Sequence, residues 1–307
     1  MKLAKLVVLE IIIGLAGFFA VGCALAEENP PQSQELLLKV YNRNITRLET
    51  SPFGLPLYLD SFEEGDRVHV DVYGIFAYPF SSVSSVLKEP ANWCDIVALH
   101  PNVKACTYQN LEDAWLLTFY LGRKTFQPPQ DARQVIYHFR DLERGPGYLD
   151  LALTAAVGPL GTKDHQLKFE ALPLDGAKTF VHVTYAYKNS AFLNLAGKVY
   201  FSTRGRDKVG FTVAGTDQRG KPVYIAGPRG AIERNAVRYY FAIQAVMDSL
   251  PYPEKSRFNI RTSNWFDLTS RYPRQLFELE KRDYLSFKKK EYEHQVALQR
   301  RAATVHP

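Results

Sequence analysis

The strongest constraint on the fold is a series of short alternating runs between Val103 and Gly227. In chain order they read "VKACTYQ", "AWLLTFYLGRK", "RQVIYHFRDLE", "YLDLALTAAVG", "HQLKFEALPL", "KTFVHVTYAYKN", "GKVYFSTRG", "KVGFTVAGT" and "KPVYIAG". Such alternation sends successive side chains to opposite faces of a strand. Gly, Asp, Lys and Pro turns separate the runs, which predicts an antiparallel meander. A helix follows, because "GAIERNAVRYYFAIQAVMDSL" returns Ile232, Ala236, Tyr239, Ile243, Val246 and Leu250 to one side. A strongly curved sheet can wrap its apolar face around one long helix and leave a cavity between them.

Upstream, "RVHVDVYGIFAY" alternates Val68, Val70 and Val72 against His69, Asp71 and Tyr73, a strand with one buried face. "PFSSVSSVLKEPANWCDIVAL" changes to helical spacing, with Phe80, Val83, Val86 and Leu87 on one face, a stop at Pro90, and a restart through Trp93, Ile96 and Val97. Nearer the start, "SQELLLKVYNRNITRLE" places Leu37, Tyr41, Ile45 and Leu48 on an amphipathic helix with Ser33 as cap. "SPFGLPLYLDS" reads as a loop or edge strand. Beyond the long helix, "SNWFDLTSRYP" reads as a short helix anchored by Trp265, Phe266 and Tyr272. "RQLFELEKRDYLSFKKKEYEHQVALQRR" reads as a longer basic helix packed on the sheet or on the first helix, its Lys288 to Lys290 run solvated. Peripheral contact of this helix with an anionic membrane is the alternative, opposed by the interspersed Glu278, Glu280, Asp283, Glu291 and Glu293.

The N-terminus bears on compartment. Lys2 and Lys5 precede an apolar run from Leu6 to Val21, interrupted by Glu10, the pattern of a secretory signal. It falls short of the roughly 18 clean apolar residues of a spanning helix. "ALA" before Glu27 is the preferred cleavage site, and "AVGC" resembles a lipoprotein box whose use would leave Cys23 as a lipid anchor. The mature chain is therefore expected in a periplasmic or secreted location. Loss of two lysines and one glutamate with residues 1–26 takes the net charge from +6 to +5. That is mild for this length and gives no sign of a nucleic-acid partner.

The compartment decides the reading of "NWCDIVALHPNVKAC". With Cys23 removed or lipidated, Cys94 and Cys106 are an even pair in an oxidising space, and a disulfide is expected. Cys-x5-His-x5-Cys lacks a fourth ligand for zinc, and no nearby base activates a thiol. Neither a metal nor any other cofactor is expected.

The first strand running into "AYPFSSVSSVLKEPANWC" and the closing helix from Ala231 to Leu250 resemble the helix-grip fold of the START and Bet v 1-like (SRPBCC) superfamily. "SPFGLPL", "ERNAVRYYFAIQAV" and "SRYPRQLFELEKRDYL" resemble an uncharacterised group of secreted bacterial proteins within it. The resemblance implies an α+β fold, a curved antiparallel sheet around a long C-terminal helix with extra helices at both ends. The expected organisation is a signal peptide over 1–26, a spacer and helix over 27–66, a helix-grip domain over 67–250 and a helical extension over 251–307. The superfamily holds lipid carriers, cyclases and hormone receptors, so the likeness constrains fold more than function.

Motif searches leave few sites. There is no G-x-S-x-G elbow, and "GPRGAIERN" lacks the Gly-Lys-Ser/Thr of a phosphate loop. His69 and His182 read as strand residues, His100 as a structural hydrogen-bonding group, and His138 and His165 as strand or turn positions. The expected cavity draws Tyr239, Ile243 and Asn235 from the long helix and Tyr185 and Tyr187 from "FVHVTYAYKN", or His182 and Thr184 if the opposite face points inward. Trp93 is a further candidate that reads equally as an anchor for the short helices. The expected function is binding of a hydrophobic small molecule or lipid. The alternatives are a cyclase- or hydrolase-like enzyme using the same cavity, and an envelope interaction protein whose core is filled by its own aromatic rings.

Overall fold

The computed structural model describes residues 32–111, 114–190 and 208–305. Residues 1–26, with Cys23, and the run 197–205 expected as a strand lie outside them. Helix α1 (Gln32–Glu49) is followed by β1 (Leu57–Glu64), β2 (Arg67–Phe76), α2 (Phe80–Leu87) and α3 (Pro90–Val97). Strands β3 (Val103–Leu111), β4 (Ala114–Leu121), β5 (Arg133–Gly145), β6 (Tyr148–Val157), β7 (Lys163–Asp175) and β8 (Lys178–Lys188) follow. A short β9 (Val213–Thr216) and β10 (Pro222–Tyr224) precede α4 (Gly227–Ser249), α5 (Glu254–Ser270), α6 (Pro273–Leu276) and α7 (Lys281–Val305).

Among the described residues the sheet has eight antiparallel strands in the order β1-β2-β8-β7-β6-β5-β4-β3. The meander is β3 to β8, and β8 returns to pair with β2 from Arg67 opposite Lys188 to Phe76 opposite Thr179. "PLYLDS" extends the sheet as an edge strand, because β1 pairs with β2 along its whole length; the sheet thus begins ahead of Arg67. The runs at 208–216 and 221–227 do not continue the sheet and form the separate β9–β10 hairpin. Its approach is diverted by the buried Glu233 carboxylate, which accepts the Phe211 and Thr212 N–H groups at 2.6 and 3.0 Å and thereby removes them from any ladder.

Helix α4 lies against the concave face of the sheet. It approaches β2 at Gly74, where a Cβ would run into the Tyr240 ring. The expected single stripe understates its burial: Val237, Phe241, Ala242 and Ala245 are buried as fully as Ile232 and Ile243. The reason is the C-terminal segment, which covers the face turned away from the sheet. The Trp265 indole N–H donates to the Arg238 carbonyl at 3.0 Å, and Arg238 pairs with Glu278 at 2.6 Å. Lys288 is not solvated. It is buried between Glu291 (2.8 Å) and the His100 and Val103 carbonyls (2.8 Å each), while Lys289 and Lys290 point outward.

Helix α1 packs on the opposite, convex face through Leu37 and Leu48, with Tyr41 against Phe180. Ser33 lies within this helix rather than capping it, and Ile45 is exposed. Asn44 is buried beside Leu48 instead, its amide satisfied by the Val40 carbonyl at 3.0 Å. The Cys94–Cys106 disulfide joins α3 to β3 across a Cα separation of 4.9 Å.

Candidate functional site

A cavity of about 570 Å³ opens between α4 and strands β4, β5, β7 and β8. Strand alternation builds its walls. On β8 the inward row after Val181 and Val183 is Tyr185 and Tyr187, so His182 and Thr184 point to the convex face. On β5 the row Arg133, Val135, Tyr137 faces inward, and on β4 the row Leu117, Phe119, Leu121 does so. His165 starts the inward row of β7, and α4 contributes Asn235 and Tyr239.

Tyr239, Asn235, Tyr185 and Tyr187 are thus brought together on one space. Ile243 and Trp93 are not. Both are buried in the main core, and Trp93 is committed to packing by its N–H bond to the Leu87 carbonyl at 2.6 Å and an edge contact with Phe169. Residues missing from the sequence reading as cavity groups are Phe119, Leu121, Arg123, Arg133, Tyr137 and Thr162, together with His100 and His165, which read as structural or turn positions. Period-two alternation carried the signal for Tyr137, Arg133 and His165 once the inward face of each strand is known. Nothing local marked Thr162 or His100, which reach the cavity from turns.

Two hydrogen-bonded groups face each other across the space. His165 contacts the Tyr185 hydroxyl through Nδ1 at 3.1 Å and the Thr162 hydroxyl through Nε2 at 2.8 Å, and its ring stacks on Tyr187 at 5.2 Å. Gly158 permits this placement, since a Cβ there would overlap the imidazole. Opposite, His100 accepts the Asn102 N–H on Nδ1 at 3.1 Å, which leaves Nε2 to donate to Asn235 Oδ1 at 3.3 Å. Its ring stacks on Tyr239.

Burial keeps these groups uncharged. It pushes the His165 pKa down to about 4 and those of Tyr187 and Tyr239 up to about 12. Tyr185 is raised well above its ordinary value by burial and by Tyr137 and Tyr187. His100 is held well below 6.5 by burial and then by the positive charges of Arg238 and Lys288.

The convex face carries charge instead. His182 lies between Asp71 (2.8 Å) and Glu170 (3.1 Å), and its pKa is raised because these hydrogen bonds outweigh burial. Burial would raise both carboxylates, but His182 and His69 hold Asp71, and His182, Tyr148 and Lys168 hold Glu170, well below their usual range. Among the described residues no group of three or more His, Cys, Asp or Glu side chains is arranged to hold a metal ion, and no helix is long and apolar enough to cross a membrane.

No family model matches the chain, and no curated protein does so. Solved structures do match. A STAR-related lipid transfer protein from Xanthomonas axonopodis is 15% identical over 47% of this chain and 84% of its own, with a TM-score of 0.32. An aromatase/cyclase from a Streptomyces species is 14% identical over 41% and 70%, with a TM-score of 0.29. A conserved protein of unknown function from Enterococcus faecalis is 12% identical over 69% and 91%, with a TM-score of 0.35. The helix-grip architecture rests on the strand order and on α4 lying against the concave face of the sheet.

Proposed function

We propose that this is an exported binding protein that holds a hydrophobic small molecule or lipid between α4 and strands β4, β5, β7 and β8. The observation that carries the reading is the cavity itself. Its volume of about 570 Å³ lies in the range typical of small-molecule sites, roughly 300 to 1,000 Å³. Phe119, Leu121 and the bodies of four tyrosines supply apolar surface, and a few oriented hydroxyl and amide groups supply direction. A core filled by its own aromatic rings would leave no such space. The Cys94–Cys106 disulfide supports an oxidising compartment, in line with the signal-like N-terminus.

Acid–base catalysis in the same cavity is the second reading, favoured by the 3.1 Å contact between His165 and Tyr185. Efficient proton transfer needs groups poised near the working pH. A histidine near 4 facing a tyrosine well above 10 is a weak base beside a weak acid, so binding is the better-supported reading.

Native mass spectrometry of the mature protein purified from its own envelope, followed by organic extraction, tests the proposal. A stoichiometric hydrophobic molecule is expected, and it should be lost in Leu121→Trp, which narrows the cavity. A spectrum that stays empty after incubation with envelope lipids would overturn lipid carriage.

A further inference from the structure

Among the described residues the charged side chains that line the cavity are the arginines Arg123 and Arg133, while Asp164 and Glu63 act on His165 and Tyr187 from behind its wall. Both arginines are exposed at its edge, beside the exposed Leu160 of the turn between β6 and β7. They are neighbours by register, because Arg133 pairs with Leu121 on β4 and Arg123 follows two residues later. Among the described residues neither forms an ion pair with a carboxylate. The wall behind His100 is unbalanced in the same direction. Lys124, Lys208 and Arg238 share the single carboxylate of Glu278, and Lys104 and Lys288 share that of Glu291. Burial first, and then the positive charges of Arg238, Lys288 and Lys124, lower the pKa of His100.

Resting on the reading of this cavity as a binding site, we propose that its ligand is an organic acid. The apolar or aromatic body lies among Tyr137, Tyr185, Tyr187 and Tyr239, and the anionic group is held at the mouth by Arg123 and Arg133. A guanidinium offers paired N–H donors that match a carboxylate or phosphate, and such charge-assisted bonds are roughly twice as strong as neutral ones. The excess positive charge behind the wall adds attraction without requiring contact. Inside, the neutral histidines and tyrosines need no counter-ion. A neutral lipid would gain nothing from the arginines.

The test uses two fluorescent probes with the same phenylnaphthylamine body, the sulfonate 8-anilinonaphthalene-1-sulfonate and the uncharged N-phenyl-1-naphthylamine. With the full mature chain, the sulfonate is expected to bind about tenfold tighter or more. Arg123→Gln combined with Arg133→Gln should abolish the sulfonate's advantage over the uncharged probe. Leu121→Trp should weaken both, which ties the signal to the cavity. Displacement of the sulfonate by dodecanoate points to a carboxylate ligand, and displacement by dodecyl phosphate alone to a phosphate one. Either supports an acid. Equal binding of both probes by the native chain, a preference that survives loss of both arginines, or equal displacement by dodecanol overturns the acid while leaving a binding cavity. Binding of neither probe overturns both readings.

Discussion

Gln299 holds Tyr108 by both backbone groups: its Oε1 accepts the Tyr108 N–H and its Nε2 donates to the Tyr108 carbonyl, each at 2.9 Å. One helical turn earlier, Gln295 Oε1 accepts the Cys106 N–H at 2.9 Å. Four residues of helix advance about 6 Å and two of strand about 6.8 Å, so these side chains keep pace with alternate residues of β3. Helix α7 thereby occupies the hydrogen-bonding edge of β3, at the end of the sheet. Exposed edges invite pairing with other chains. Gln299→Ala should lower stability by about 1 to 2 kcal/mol. Denaturant titration measures the loss, and hydrogen exchange at Tyr108 should accelerate relative to the β6 amides. Unchanged exchange there would count against this role.

Trp93 and Tyr185 should separate packing from binding. Trp93→Ala removes a fully buried indole and its bond to Leu87, an expected loss of about 3 to 5 kcal/mol. Where the variant still folds, its affinity for the sulfonate probe should be near normal. Tyr185→Phe keeps the ring but removes the hydroxyl beside His165. It should alter ligand affinity while moving the melting temperature little.

Opening the Cys94–Cys106 bridge should matter although it closes a short loop. In the chain-entropy model a bridge spanning these 12 positions contributes about 3 kcal/mol. Both sulfurs are buried, so mild reductant should act slowly on the folded protein. Cys94→Ala with Cys106→Ala should lower the denaturation midpoint, and reductant should then have no further effect.

Stability should fall as the solution is acidified through the histidine range. His165 has a folded pKa of about 4 against an ordinary 6.5. The unfolded chain therefore takes up its proton first, and the stabilisation present above about pH 6.5 is lost towards pH 4. His100 shifts in the same direction. His182 runs the other way: its raised pKa gives stability that is present at acid pH and lost as pH rises through the folded value. The contributions of Asp71 and Glu170 disappear only on further acidification, as pH falls through their depressed values. Urea midpoints measured between about pH 7 and pH 5 should decline, and His165→Gln should flatten that decline. An equally steep decline in the variant would remove His165 as a source.

Local chemistry alone determined a good deal of this protein. Alternation marked β2 and the meander, Pro90 divided the two short helices, and the even pair Cys94 and Cys106 led to the expectation of the bridge. Period two also put Tyr185 and Tyr187 on the same face, and helical spacing put Asn235 close to Tyr239. Each of these depends on bond geometry within a few residues. Tertiary structure decided the rest, because it depends on which surfaces meet. It turned Tyr185 rather than His182 inward, placed Trp93 and Ile243 in solid core, and buried Lys288 against β3. It made α4 a central helix by covering its outer face with α5 and α6. It also set Arg123 and Arg133 at one mouth, although Arg123 lies beyond the end of β4 and Arg133 begins β5. A residue's own neighbours in sequence state which way it points; only the packed sheet and helices state what lies there.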